Sequence, residues 1–145
     1  MSSVYTLRVT HREKRYTYFM SDWMRIGELA RRAKVTLRTI RHYERLGLLP
    51  KGEREGNGQR YYTELTIARL EKIDQLKRLG LTLEEVSGVI DLYFVDPSRR
   101  RAKRKVLSIL RQHLSETNEK IVALTAFRAE LKSHISRFEQ WLQDP

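Results

Sequence analysis

Residues 36–47 read Thr36-Leu37-Arg38-Thr39-Ile40-Arg41-His42-Tyr43-Glu44-Arg45-Leu46-Gly47, and the reading of this stretch decides the fold. Thr36 is a good N-cap and Gly47 a good C′ residue, so a helix is expected through Leu46. Inside it, Arg38, Arg41, His42 and Arg45 fall at i, i+3, i+4 and i+7, which aligns four donors on one stripe. Leu37, Ile40 and Leu46, with Tyr43 at the border, are left to bury the other side. From Met24 to Ala33 the pattern is also helical, because Ile26, Leu29, Ala30 and Ala33 repeat at the spacing of one buried face. Lys34-Val35 makes a short turn between the two. Two short helices joined by a tight turn form a helix-turn-helix, whose second helix reads base edges in the major groove.

Beyond Pro50, residues 51–62 have the composition of a two-stranded ribbon. Gly56-Asn57-Gly58 supplies the turn and Tyr61-Tyr62 the strand propensity. Thr63 caps a third helix running through Leu79, with Ile67, Leu70, Ile73, Leu76 or Lys77, and Leu79 inward and Gly80 as its stop. Thr82-Leu83-Glu84-Glu85 opens a fourth helix with a capping box. Its inward residues are Leu83, Val86, Val89, Ile90 and Tyr93, and Asp96-Pro97 closes it. From Ser98 to Asp144 there is neither Gly nor Pro. Leu107, Leu110, Leu114, Thr117, Ile121, Leu124, Arg128, Leu131, Ile135, Phe138 and Leu142 step by alternating 3 and 4, the seam of a coiled coil. A stripe roughly 50 Å long, at about 1.5 Å per residue, has no room on so small a domain and requires a partner. Arg128 and Thr117 are its two polar positions, suited to setting register or pairing orientation.

Charge separates the halves. Residues 1–80 hold 18 basic and 9 acidic residues, whereas residues 81–145 hold 11 and 9. The net charge of +11 and pI near 10.2 favour a polyanion, and nucleic acid is the commonest. A membrane surface is the rival, yet no apolar run approaches a span and no signal-peptide pattern is expected. Cys is absent, which excludes thiolate metal sites, disulfides and Cys nucleophiles and fits a cytoplasmic protein. His113 and His134 lie near the seam without a matching acidic cluster, so no metal site and no cofactor are expected. No phosphate loop, His-Glu pair or nucleophile motif is present, and an enzyme is not expected.

Residues 24–62, including Arg-Ile-Gly-Glu-Leu-Ala at 25–30, the helix at 36–47 and Asn-Gly-Gln-Arg-Tyr-Tyr at 57–62, strongly resemble the MerR family of regulators. The Arg-Leu-Gly-Leu-Thr-Leu-Glu-Glu junction at 78–85 and the long helix extend the resemblance to about residue 140. It implies a mainly α fold: a winged helix-turn-helix with a small two-stranded wing, two further helices and a long antiparallel dimerisation helix. The expected organisation is an N-terminal extension at 1–22, a DNA-binding domain at 23–97 and a dimerisation helix at 98–145. The extension would be a hairpin or disordered, unless translation starts at Met20 or Met24. The implied partner is double-stranded promoter DNA, near-palindromic, bound by a homodimer that bends and underwinds it and so serves RNA polymerase indirectly. An architectural or excision-type DNA-bending protein is the alternative.

On this resemblance the DNA-binding residues are Thr36, Arg38, Arg41, His42, Tyr43, Arg45, Arg54, Arg60 and Tyr61, with Tyr62 assigned to the core. Dimerisation falls to Leu107, Leu110, Leu114, Ile121, Leu124, Leu131 and Ile135. His42 stands where the family usually has an aromatic residue. The family's metal sensors carry Cys around the ends of the long helix, which this chain lacks, so the effector is left unknown. The run Arg99-Arg100-Arg101-Ala102-Lys103-Arg104-Lys105 reads as a solvated first turn, with a grip on flanking phosphate or on an acidic effector as the alternatives. Its cations oppose the helix dipole, so something is expected to compensate.

Overall fold

A computed structural model describes residues 23–54, 56 and 58–145; the hairpin-or-disorder alternative and the start-site question for residues 1–22 lie outside the described residues. The chain divides into two compact units, the first ending at Ala102 and the second beginning at Lys103.

In the first unit, β1 (Met24–Arg25) leads into α1 (Ile26–Ala33) and α2 (Leu37–Arg45). Met24 is therefore strand and not helix: it pairs with Tyr62, and Arg25 pairs with Tyr61. The wing strands are β2 (Glu53–Arg54) and β3 (Arg60–Tyr62). With β1 they make a three-stranded antiparallel sheet in the order β1-β3-β2, one strand more than the ribbon expected. The physical reason is that β3 is central, so both its edges need backbone partners, and Met24–Arg25 supplies the second.

The turn between α1 and α2 closes on Lys34, which takes φ 57° and returns its N–H to Arg31, while the Val35 N–H reaches the carbonyl of Ala30. Thr36 caps α2 as expected, its hydroxyl accepting from the Thr39 N–H at 3.1 Å. Gly47, at φ 74°, ends the helix, a conformation that glycine adopts without Cβ strain. The inner face of α2 differs from the expected one. Ile40, Tyr43 and Glu44 are buried, whereas Leu37 and Leu46 are 43% and 46% exposed. The buried trio is spaced i, i+3, i+4, and Leu37 and Leu46 fall at the two ends, beyond the reach of the domain core.

α3 (Glu64–Arg78) buries Ile67, Leu70, Ile73 and Leu76. Thr63 occupies the cap position without a side-chain bond, and Leu79, expected inward, is exposed past the last turn. The Thr82–Glu85 capping box forms in both directions, at 3.1 and 2.9 Å. The helix it opens is short, however. α4 (Leu83–Ser87) gives way to tight turns and then α5 (Leu92–Val95), instead of one helix through Tyr93. After Gly88 the backbone bonds shorten to three-residue steps, Leu92 to Val89, Tyr93 to Ile90 and Phe94 to Asp91. Val86, Val89 and Ile90 are buried as expected; Leu83 and Tyr93 are half-buried.

Arg69 locks this segment to the rest. Its Nε donates to the Leu48 carbonyl and its terminal nitrogen to Asp91, both at 2.5 Å, and its guanidinium lies 5.6 Å from the Phe94 ring centre. α6 (Arg100–Gln143) starts in the first unit and forms the second. Within Lys103–Pro145 its seam residues stand open: Leu114, Ile121, Leu124, Ile135, Phe138 and Leu142 are all more than half exposed.

Gly52 is a close approach. A Cβ there would sit 2.8 Å from both the Tyr61 carbonyl oxygen and the Tyr62 ring. Gly52→Ala is accordingly expected to lower unfolding stability by about 1–3 kcal/mol, read from urea midpoints; an unchanged midpoint would refute this packing argument.

Candidate nucleic-acid interface

The outer face of α2 carries the exposed cations. Arg38, Arg41, His42 and Arg45 are all exposed there, on the side opposite Ile40 and Tyr43. The helix carries no acid in its first turn and ends with His42 and Arg45 in its last, so its solvent face is cationic along its length. Thr36 is exposed at the start of this helix, its hydroxyl 2.9 Å from that of Thr39. Tyr43 does not belong to this face. It is 7% exposed with its hydroxyl 3.5 Å from Lys77 Nζ, on the packed side of the helix.

Between α2 and the wing lies a cleft of about 510 Å³ lined by Arg25, Arg41, Arg45, Lys51 and Arg60, with Glu44 and Tyr62 also in its wall. Five cations on one concavity concentrate positive potential where a phosphate chain can enter. Arg41 and Arg45 come from the helix stripe; Lys51 and Arg60 come from the wing; Arg25 comes from β1. Arg25 was not among the expected site residues, since assigning Met24 onward to a helix hid the strand that aims it. Arg54 is exposed on β2 and Arg60 is half-buried on β3. The Tyr61 ring centre is 6.1 Å from that of Trp23, tilted by 48°, so the half-buried Tyr61 packs toward Trp23 from the central strand.

Glu44 holds the two halves of this face together. Its side chain is 6% exposed. One oxygen accepts from the Tyr62 hydroxyl at 2.9 Å, and the other accepts from Arg60 at 3.2 Å. A buried carboxylate needs such donors, because losing one leaves an uncompensated charge out of water. The pairing spans α2 and β3 and so fixes the angle between helix and wing. A signal for it was present in the sequence: Glu44 sits four residues after Ile40 on the inward spacing, and an acid at a core position demands a partner.

Tyr62 is itself core, as expected, and its phenol is pushed up to about 12 by burial first and by the hydrogen bond and charge of Glu44 next, against the lowering influence of Arg60 and Arg41. Among the described residues no group of three or more His, Cys, Asp or Glu could hold a metal ion, and no helix is long and apolar enough to cross a membrane.

Known proteins share this arrangement. Residues 24–92 match the family described as MerR HTH family regulatory protein, and residues 67–134 match the one described as MerR, DNA binding. The HTH-type transcriptional regulator YfmP of Bacillus subtilis (strain 168) is 31% identical over 136 residues, covering 84% of this chain and 97% of that protein. The crystal structure of the transcription regulator PbrR691 from Ralstonia metallidurans CH34, in complex with lead(II), superposes with a TM-score of 0.61. It is 32% identical and covers 76% of this chain and 84% of that one. HiNmlR, a MerR family regulator lacking the sensor domain and bound to promoter DNA, shares the fold at a TM-score of 0.50 and 20% identity, covering 72% and 77% of the two chains.

Because the phenol of Tyr62 is raised, the native state holds a proton that the unfolded chain loses near the ordinary value of 10.0. Stability from this group is complete below that pH and is lost as pH rises toward 12. Tyrosinate absorbance should therefore show a late-titrating component that loses one tyrosine in Tyr62→Phe and shifts downward in Glu44→Gln; a late component unchanged by Tyr62→Phe would contradict the buried pairing. With its cationic helix face, its basic cleft and these relatives, the chain belongs to the MerR family of DNA-binding transcription regulators, which act by binding and not by catalysis.

Proposed function

We propose that a homodimer of this chain binds a near-palindromic promoter in the bacterial cytoplasm, with α2 of each copy in a major groove and each wing on the flanking backbone. Bending and underwinding of the DNA would then serve RNA polymerase indirectly. The observation that carries the reading is the convergence of helix and wing cations, Arg41 and Arg45 with Lys51 and Arg60, on one cleft. Phosphate passes through that cleft and fixes orientation, while Arg38 and Arg41 reach base edges from the first turns of α2. His42 and Arg45 extend the contact, Thr36 and the first α2 amides meet a phosphate, and Tyr61 adds to it from the wing. Arg25 joins the phosphate set. The DNA-binding domain of this reading is residues 23–97 and the dimerisation helix 98–145, with Leu107, Leu110, Leu114, Ile121, Leu124, Leu131 and Ile135 at the pairing face.

The wing cations separate by structure. Arg54 is exposed, so Arg54→Ala tests a phosphate contact cleanly. Arg60→Ala also removes a donor from Glu44 and mixes DNA affinity with stability.

Binding to a palindromic promoter fragment and a scrambled one, by fluorescence anisotropy across a salt series, tests the proposal. Arg38→Ala or Arg41→Ala should reduce the ratio of specific to random affinity, by about 1–3 kcal/mol for each base that goes unread. Arg54→Ala should weaken both DNAs alike and flatten the log–log salt slope by about 0.9 for each phosphate no longer neutralised. If Arg38→Ala and Arg41→Ala both leave the ratio intact, α2 is not the reading helix.

A further inference from the structure

The seam of α6 contains two polar residues, and their positions restrict how a second copy can lie against it. Resting on the homodimer reading above, with its antiparallel long helices, we infer that two copies of α6 pair in a single register, with Thr117 of each opposite Arg128 of the other.

Charge accords with that orientation. In a parallel, in-register pair every core residue meets its own copy, so Arg128 would face a second Arg128 inside the seam. Two guanidinium groups in one apolar layer have no counter-charge and lose their hydration together. Antiparallel pairing separates them, because the column of Leu107, Leu114, Ile121, Arg128, Ile135 and Leu142 then meets the column of Leu110, Thr117, Leu124, Leu131 and Phe138.

Register follows from matching polarity, since antiparallel alignments are available only in steps of one heptad. One alignment sets Leu107 opposite Phe138, Leu110 opposite Ile135, Leu114 opposite Leu131, Thr117 opposite Arg128 and Ile121 opposite Leu124. Every other layer along Leu107–Phe138 is then apolar against apolar, the Thr117–Arg128 layer occurs once on each side of the two-fold axis, and Leu142 faces Lys103 at the end. Sliding a heptad in one direction puts Arg128 on Leu110 and leaves Ile135, Phe138 and Leu142 uncovered. Sliding the other way puts Arg128 on Leu124 and Thr117 on Ile135, with Leu107 uncovered. The residues so paired are open in the single chain: Leu114, Ile121, Leu124, Ile135 and Phe138 are each at least 55% exposed.

The Thr117 side chain is set for this role. Its hydroxyl spends its one proton on the His113 carbonyl, at 2.7 Å, so its lone pairs are the part left to accept from a guanidinium. At the flank the same register brings Arg104 beside Glu139. It also brings Arg111 beside Lys132, a like pair at the solvent edge, where the cost is small. Polar core residues that fix register at some cost in stability are an established device in coiled coils.

The chain has no cysteine, so introduced thiols report pairing without background. Leu114→Cys is mixed in turn with Leu131→Cys, Leu124→Cys and Phe138→Cys, the dimers are exchanged, and the mixtures are oxidised with diamide. The register predicts covalent dimer with Leu131→Cys about tenfold faster than with the other two, because a disulfide tolerates only a narrow Cβ separation. Fastest cross-linking to position 124 or 138, self-linking of Leu114→Cys alone, or a sedimenting dimer with no cross-link would each overturn the register while leaving the homodimer intact. Monomer in sedimentation before oxidation would overturn both. Arg128→Leu separates cause from coincidence: it should keep the dimer and spread the cross-links over the heptad-shifted partners. An unchanged preference for Leu131→Cys would refute the polar layer as the determinant.

Discussion

The ion and hydrogen-bond cluster around Glu44 is the constraint on which the DNA-facing side of the molecule depends. A carboxylate with 6% side-chain exposure cannot stay unpartnered, since a buried polar group that lacks its bond costs about 1–3 kcal/mol and a charge costs more. The Tyr62 hydroxyl and Arg60 guanidinium satisfy it from a different element, so the wing cannot swing away from α2 without exposing or stranding the acid. Gly52 enters through the same cluster, because only a residue without Cβ lets β3 and the Tyr62 ring lie where the carboxylate needs them. The cost of this arrangement is that one wing arginine is partly committed to an internal acid.

Much of the fold was legible because its signals are local. Thr36 and Gly47 bound α2, Thr82 and Glu85 form their box, and Gly80 at φ 99° ends α3; each needs only a few neighbouring residues. What escaped is what depends on distant partners. Met24 and Arg25 sit in a helical pattern, and the need of β3 for a second strand pulls them into the sheet. Tyr43 stands beside four exposed cations, and its burial is set by α3, through Lys77 among others. The break between α4 and α5 reflects Arg69 reaching across from α3 to Asp91, a contact no periodicity encodes. In the site, the cationic stripe was readable from spacing alone, whereas Arg25 and Glu44 gained meaning only when the wing folded against α2.

The two units show different ways of satisfying hydrophobic residues. In the first, Leu29, Ile40, Leu48, Ile73, Val86 and Val89 are fully buried within about eighty residues of chain. In the second, Leu114, Ile121, Leu124, Ile135, Phe138 and Leu142 of one helix are more than half exposed, and burial of such a stripe is worth about 25 cal/mol per Å² only once a second surface covers it. Helix propensity alone leaves long single helices marginal in water. On the homodimer reading proposed above, the apolar stripe transfers part of the stability of this unit to assembly and couples the presence of two DNA-binding units to the folded state of the helix that joins them.

The start of α6 bears on that coupling. Six cations between Arg99 and Lys105 crowd the end of a helix where the dipole already places positive charge, and the chain answers this locally. Asp96 accepts from both the backbone N–H and the hydroxyl of Ser98, at 3.0 and 2.8 Å, and the Arg100 N–H donates to the Ser98 hydroxyl oxygen at 3.3 Å. Hydrogen bonds from Ser98 hold the Asp96 carboxyl below its ordinary range, aided by the Arg101 amide and charge. An acid and a hydroxyl therefore stand where the helix needs a cap, and they offset part of the repulsion that the basic run creates. Arg99 takes φ 57° in the same turn, a left-handed conformation that ends the loop abruptly and lets the helix begin at Arg100. The basic run can then stay exposed to solvent without unwinding α6.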